Sequence, residues 1–230
     1  MSGLATTDLL DLWERASRCG PHERAVHLLA WALPEHSFEA LADLDLGVRD
    51  WHLLRLRSVL FGPKLGSYTD CPRCGEQLEV ELDAQAIQGD APPPAPCYID
   101  RKGRRYRLPN SHDLVAMASM RDAAAAEREL FVRCRLDQTS LDEIDVDEVD
   151  SGLSALADER NYQLHLSCAL CDHAWSLVFD PGAYLWEEVR ARAQTLLDDV
   201  HRLASAYGWS ERDILAMGEA RRNAYLARVQ

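Results

Sequence analysis

Cys71-Pro72-Arg73-Cys74 and Cys168-Ala169-Leu170-Cys171 repeat one spacing, with 93 residues between Cys74 and Cys168. Two thiolates two residues apart can aim both sulfurs at one tetrahedral ion. Each pair therefore supplies half a ligand set, and two pairs close an all-thiolate site. The residues after each pair also match. Gly75 precedes Leu78, Val80, Leu82 and Asp83; Asp172 precedes Trp175, Leu177, Phe179 and Asp180. A turn residue followed by alternating apolar side chains is the pattern of a strand leaving a tight turn. The expectation is a zinc knuckle on a hairpin, twice, with one structural Zn2+ held by Cys71, Cys74, Cys168 and Cys171. A redox pair is expected at the start of a helix, whereas strands follow both pairs here. The gap is longer than in a compact zinc ribbon; the internal repeat is what joins the halves. His165 and His173 flank the second knuckle as alternative ligands, but four thiolates already saturate the ion.

Other chemical signatures fail on spacing. His22-Glu23-Arg24-Ala25-Val26-His27 has one residue more than a zincin motif. At about 100° per residue, histidines five apart diverge by about 140° on a helix and cannot share an ion. Asp137 to Asp150 carries seven acidic residues, but lacks the glycine and the terminal glutamate that a calcium loop requires. It reads as an acidic loop or edge strand. The deaminase His-x-Glu pattern, G-x-S-x-G and the P-loop are all missing from the sequence. Cys19, Cys97 and Cys134 are left as free thiols, expected in the interior.

The 230 residues suffice for one domain or two small ones, and their net charge of −13 opposes a nucleic-acid surface. Arg101 to Arg107 and Arg221, Arg222 and Arg228 are local basic exceptions. The apolar run near Val26 to Leu33 is too short to span a bilayer, and the early acidic residues do not suit a signal peptide. An odd cysteine count with four in metal spacing fits a reducing cytosol, so the expected location is cytoplasmic.

Helices and hairpins must position the cysteines, and the sequence pattern marks most of them. From Thr7 to about Gly66 the pattern is helical: an apolar stripe over Leu9, Leu10, Leu12 and Trp13, another from Ala25 to Trp31, and a third helix from Val48 to Phe61 with Trp51, Leu54, Val59 and Leu60 inward. Prolines from Pro92 to Pro96 form an extended connector. Tyr98 to Leu108 reads as a hairpin turning at Lys102-Gly103. A single helix is expected from His112 to Arg135, with Leu114, Val115, Met117, Ala118, Leu130 and Val132 apolar, and a short one near Leu153 to Glu159. Asp180-Pro181 starts a long amphipathic helix ending at Gly208. Ser210 with Asp213 resembles a capping box before two short closing helices. The expected class is mainly helical α+β: a helical region over 1–66, ribbon halves over 67–83 and 161–180, an inserted α+β module over 84–160, and a C-terminal helical region over 181–230.

The run Gly47-Val48-Arg49-Asp50 with Leu53, Leu54, Leu56, Arg57 and Phe61-Gly62, the knuckles, Tyr106-Arg107-Leu108-Pro109 with Asp113-Leu114, and the tail resemble a known family. In the tail the matching residues are Asp199 to Ala204, Tyr207-Gly208-Trp209-Ser210-Glu211, Ile214-Leu215-Ala216, Arg221-Arg222 and Tyr225-Leu226. The family comprises baseplate proteins similar to the hub-assembly proteins of T-even-type contractile phages, found also beside contractile injection system genes. The resemblance implies a non-enzymatic baseplate component or assembly factor in a contractile particle, with hub, tube or tape-measure proteins as partners. No membrane is expected from the apolar runs, and the charge opposes a nucleic-acid partner. The alternative from the residues themselves is a zinc-ribbon nucleic-acid binder using Arg101 to Arg107.

Overall fold

The computed structural model describes residues 6–92, 94–137 and 145–229. Helix exceeds strand by 56% to 16%, and the strands form small antiparallel sheets, so the chain is a mainly helical α+β protein. Four helices open it: α1 (Thr6–Ala16), α2 (Pro21–Ala32), α3 (Phe38–Ala42) and α4 (Leu46–Phe61). Asp45 caps α4 by accepting hydrogen bonds from the amides of Gly47 and Val48. Gly62 ends it at φ 88°, a conformation open to glycine. The helix thus ends after Phe61 as expected, since Pro63 cannot continue it, but the helical region expected up to Gly66 gives way to β1 (Lys64–Asp70) at once.

β1 pairs with β2 (Gln77–Asp83), leading into α5 (Ala84–Gln88). β3 (Cys97–Ile99) and β4 (Arg105–Arg107) form the hairpin expected around Gly103. The single helix expected over His112 to Arg135 is two, α6 (Ser111–Ala118) and α7 (Ala123–Cys134). Asp122 accepts hydrogen bonds from the amides of Ala124 and Ala125 and starts a new helix. The restart resets the phase, so in α7 Phe131 and Cys134 are buried whereas Val132, an expected apolar position, is exposed; Val115 on α6 is exposed as well. α8 (Val146–Asp158) begins earlier than expected, on an Asp145 cap; the acidic residues Asp147, Glu148 and Asp150 belong to this helix. Half of the expected acidic loop or edge strand, 138–144, lies outside the described residues. β5 (Tyr162–Ser167) and β6 (Ala174–Phe179) form the third hairpin. α9 (Pro181–Tyr207), α10 (Glu211–Leu215) and α11 (Glu219–Leu226) close the chain.

The main core joins the two ends of the sequence. Val26, Leu28, Leu29, Leu53 and Leu56 from α2 and α4 pack with Leu185, Trp186 and Val189 from the start of α9. Val59, expected to join them, points outward and is 53% exposed. A separate small core within the inserted segment holds Tyr106, Leu108, Phe131, Val149 and Leu153. Apolar Ala84 and Ile87 of α5 pack on Leu54 of α4, and polar contacts fasten the rest of the segment to the ends of α3 and α4. Asn110 pairs with Asp45 in an isolated bridge and donates to Asp43, and Arg160 meets Asp45 at 3.3 Å. At the C-terminus, Leu203, Ile214 and Leu226 hold a hook in which α10 and α11 fold back on α9.

Candidate metal centre

α4 and α9 are the platform on which the cysteines stand. β1 leaves the end of α4, β6 enters the start of α9, and the two helices pack side by side. Arg57 pins the junction: its guanidinium makes two hydrogen bonds to Glu188, at 2.6 and 2.8 Å, and a third to the carbonyl of Gly62. The Tyr184 hydroxyl donates to the carbonyl of Gly66 at 2.8 Å, tying α9 to β1. Beneath these bonds, Leu54, Leu65 and Ala84 are buried with Leu82, Tyr162, Phe179 and Tyr184 against them. Both hairpins thus rise from one shared base.

Their tips are built alike. The amide of Cys71 donates to the carbonyl of Glu76 at 2.8 Å and that of Gly75 to Cys71 at 2.9 Å. In the second hairpin the amide of Cys168 donates to His173 and that of Asp172 to Cys168, both at 2.9 Å. Gly75 has φ 75° and Asp172 φ 53°, and Asp172 is the one non-glycine residue with positive φ among those described. The turn residues noted after each second cysteine are those that reverse the chain through the left-handed region.

These turns bring four sulfurs together. Cys71 Sγ lies 3.7 Å from Cys171 Sγ, and Cys74 Sγ 3.6 Å from Cys168 Sγ. All four lie within 4.8 Å of one another. A disulfide would need about 2.05 Å. Thiolates about 2.3 Å from a shared tetrahedral ion stand about 3.8 Å apart, so the donor set fits a single metal ion. Cys71 and Cys168 are buried, whereas Cys74 is exposed.

The surroundings favour negative charge at one sulfur, that of Cys71. Burial pushes the Cys71 thiol up, but hydrogen bonds from the amides of Cys74 and Arg73 and from neighbouring thiols outweigh it and bring the group to about 7. The amide of Glu76 works to lower Cys74, and that of His173 to lower Cys171 in the matching place, but burial and the sulfurs of Cys71 and Cys168 leave Cys171 raised. At Cys74, burial and the three neighbouring sulfurs prevail and push it up to about 12. Four thiols this close cannot all ionise without a cation.

The remaining candidates fall elsewhere. His165 Nδ1 is 2.8 Å from Ser176 Oγ across its hairpin, and the His173 ring stacks on Trp175. Neither joins the sulfur cluster among the described residues. Of the three thiols expected in the interior, only Cys134 is buried. Cys97 is exposed because its edge strand turns it to solvent, and Cys19 is half-buried in the turn between α1 and α2. Burial, with the Asp113 charge beside it, raises Cys134 to about 12, which makes it an inert core thiol.

The basic hairpin is mostly self-neutralised. Arg104 pairs with buried Asp100, Arg107 with buried Asp113 at 2.6 Å, and Arg101 lies 3.7 Å from Glu148. Sequence reasoning missed these partners because Asp113 and Glu148 come from other elements. No helix among the described residues is long and apolar enough to cross a membrane. No family model, curated protein or solved structure matches the chain.

Proposed function

We propose that this protein is a non-enzymatic, zinc-stapled component or assembly factor of the baseplate of a contractile tail-like particle, acting through protein–protein contacts. The observation that carries the zinc staple is the convergence of four sulfurs from two hairpins nearly 100 residues apart in the chain. An all-thiolate, tetrahedrally spaced donor set suits Zn2+, and a filled shell leaves no open position for substrate or water. Such a site fixes structure.

The baseplate assignment rests on the sequence resemblance. Several residues that carry it form buried ion pairs in this fold: Arg49 with Asp50, Arg57 with Glu188, Arg107 with Asp113, and Arg222 with Asp199. In the tail, Gly208 caps α9 at φ 69°, and the Tyr207 and Trp209 rings stack while Tyr225 meets both edge-on. The matched residues thus serve the framework of the fold. Inward pairing of Arg104 and Arg107 weighs against nucleic-acid binding.

The test is a tagged pull-down from the native host, with assembled particles separated from free complexes and the proteins identified by mass spectrometry. Recovery of hub, spike, tube or tape-measure proteins supports the reading; their presence in particles indicates a subunit, and in free complexes alone an assembly factor. Recovery without any tail protein overturns the baseplate assignment.

A further inference from the structure

On the opposite side of α2 from the buried core, Cys19, Glu23 and His27 present a thiol sulfur, a carboxylate oxygen and an imidazole nitrogen, all within 4.8 Å of one another. We propose that these three residues form a second metal site, taking a borderline divalent cation such as Zn2+ with one coordination position left to water or to a partner's side chain. The spacing is the one that His22 and His27 lack. Glu23 and His27 are four apart and lie about 40° from each other on α2, while Cys19 stands one residue before the Gly20 cap and reaches the same face. His22 instead lines a small cavity with Arg49 and Asp180.

Three features favour a cation here. The three donor types are those of zinc sites with three protein ligands, which keep the fourth place open. The His27 ring is held by Phe38, with centroids 4.9 Å apart, so its nitrogens are oriented before any ion arrives. The cluster also faces the C-terminal end of α1, where the Cys19 thiol lies 3.6 Å from the carbonyl oxygen of Arg15; that end of a helix carries partial negative charge. Without a cation, burial and the Glu23 carboxylate hold the thiol protonated, which argues against a free nucleophile. On binding, the thiol proton leaves to solvent as sulfur bonds the metal. Donors in a tetrahedral zinc site stand about 3.3–3.8 Å apart, so small rotamer shifts close the site.

The experiment is metal counting on the full-length protein, with Zn2+ by elemental analysis and Co2+ by absorption, in the wild type and in a Cys19→Ala/His27→Ala double variant. The expected result is two equivalents in the wild type. The more weakly held one should show the weaker sulfur-to-cobalt charge-transfer band of a single thiolate. The variant, with unchanged circular dichroism, should bind one equivalent. Glu23→Gln alone should weaken the second equivalent at least tenfold. A wild type that binds one equivalent, retained in the double variant, overturns this site and leaves the four-cysteine centre intact. One equivalent lost in the variant would uphold this site and overturn the four-cysteine centre. Two equivalents retained by the variant would overturn this site as well.

Discussion

Asp113 gathers four hydrogen bonds within the inserted segment: Arg107 donates to it at 2.6 and 3.3 Å, Arg133 at 3.0 Å and the amide of Asn110 at 3.0 Å. Burial raises its carboxyl, but these donors prevail and hold it below the usual carboxylate range. Its stabilising contribution is therefore present above about pH 4 and lost as the pH falls further. Asp113→Ala leaves two arginines facing a gap and is expected to cost about 3–5 kcal/mol in urea denaturation at neutral pH. Asp50 behaves oppositely. Burial outweighs its partner Arg49 and raises it from 3.8 to about 6. The native state then holds this proton more tightly than the unfolded chain does, so the contribution is greatest below pH 4 and fades as the pH rises through 6. Burial lowers His22 and His52, which act in the reverse sense over part of this range, so the comparison must be made between variants. Relative to wild type, Asp50→Asn should gain on the order of 3 kcal/mol between pH 4 and pH 7, measured by denaturation at each pH. A constant difference would exclude Asp50 as the titrating group.

At the scale of elements, legibility in the sequence tracks the range of the interaction. The Asp180-Pro181 start, the Gly208 stop and the turn at Gly103 are local devices, and each was readable. The split between α6 and α7 was hidden because Ala116, Met117 and Ala118 before the Asp122 cap and Ala123 to Ala126 after it all favour helix. The start of β1 was hidden too. Lys64-Leu65-Gly66-Ser67 is a weak strand sequence, and it becomes one by pairing with Glu81, Leu82 and Asp83. For the metal centre, the ligand residues and their repeat were legible. The platform was not, since Arg57 and Glu188 are 131 positions apart. A similar non-local effect decides Gly152 in α8, where an added Cβ would lie 2.2 Å from the Tyr98 ring. Helix propensity alone predicts that Gly152→Ala stabilises by up to about 1 kcal/mol. Displacement of Tyr98 should reverse the sign and cost about 1–3 kcal/mol, read as a lower unfolding midpoint.

The whole molecule is a helical body with two hairpins clamped at both ends, by the α4–α9 junction at the base and by four sulfurs at the tip. Leu65 is the one residue of β1, β2, β5 and β6 that is fully buried; the inward faces of the other strands are half-buried at most. Isolated two-stranded hairpins are marginal in water, so metal removal should act selectively. Hydrogen exchange after chelation is expected to show lost protection in the four strands and retained protection in α2, α4 and α9, whose core does not involve the sulfurs. Uniform protection in both states would mean that the hairpins need no staple.

The most direct test of the four-cysteine centre is cadmium–proton correlation NMR on cadmium-substituted protein with the cysteines assigned. The geometry predicts one cadmium resonance scalar-coupled to the β-protons of Cys71, Cys74, Cys168 and Cys171 together. A cadmium resonance coupled to only one of the two pairs, or none coupled to these residues, would contradict the claim that both hairpins share a single ion.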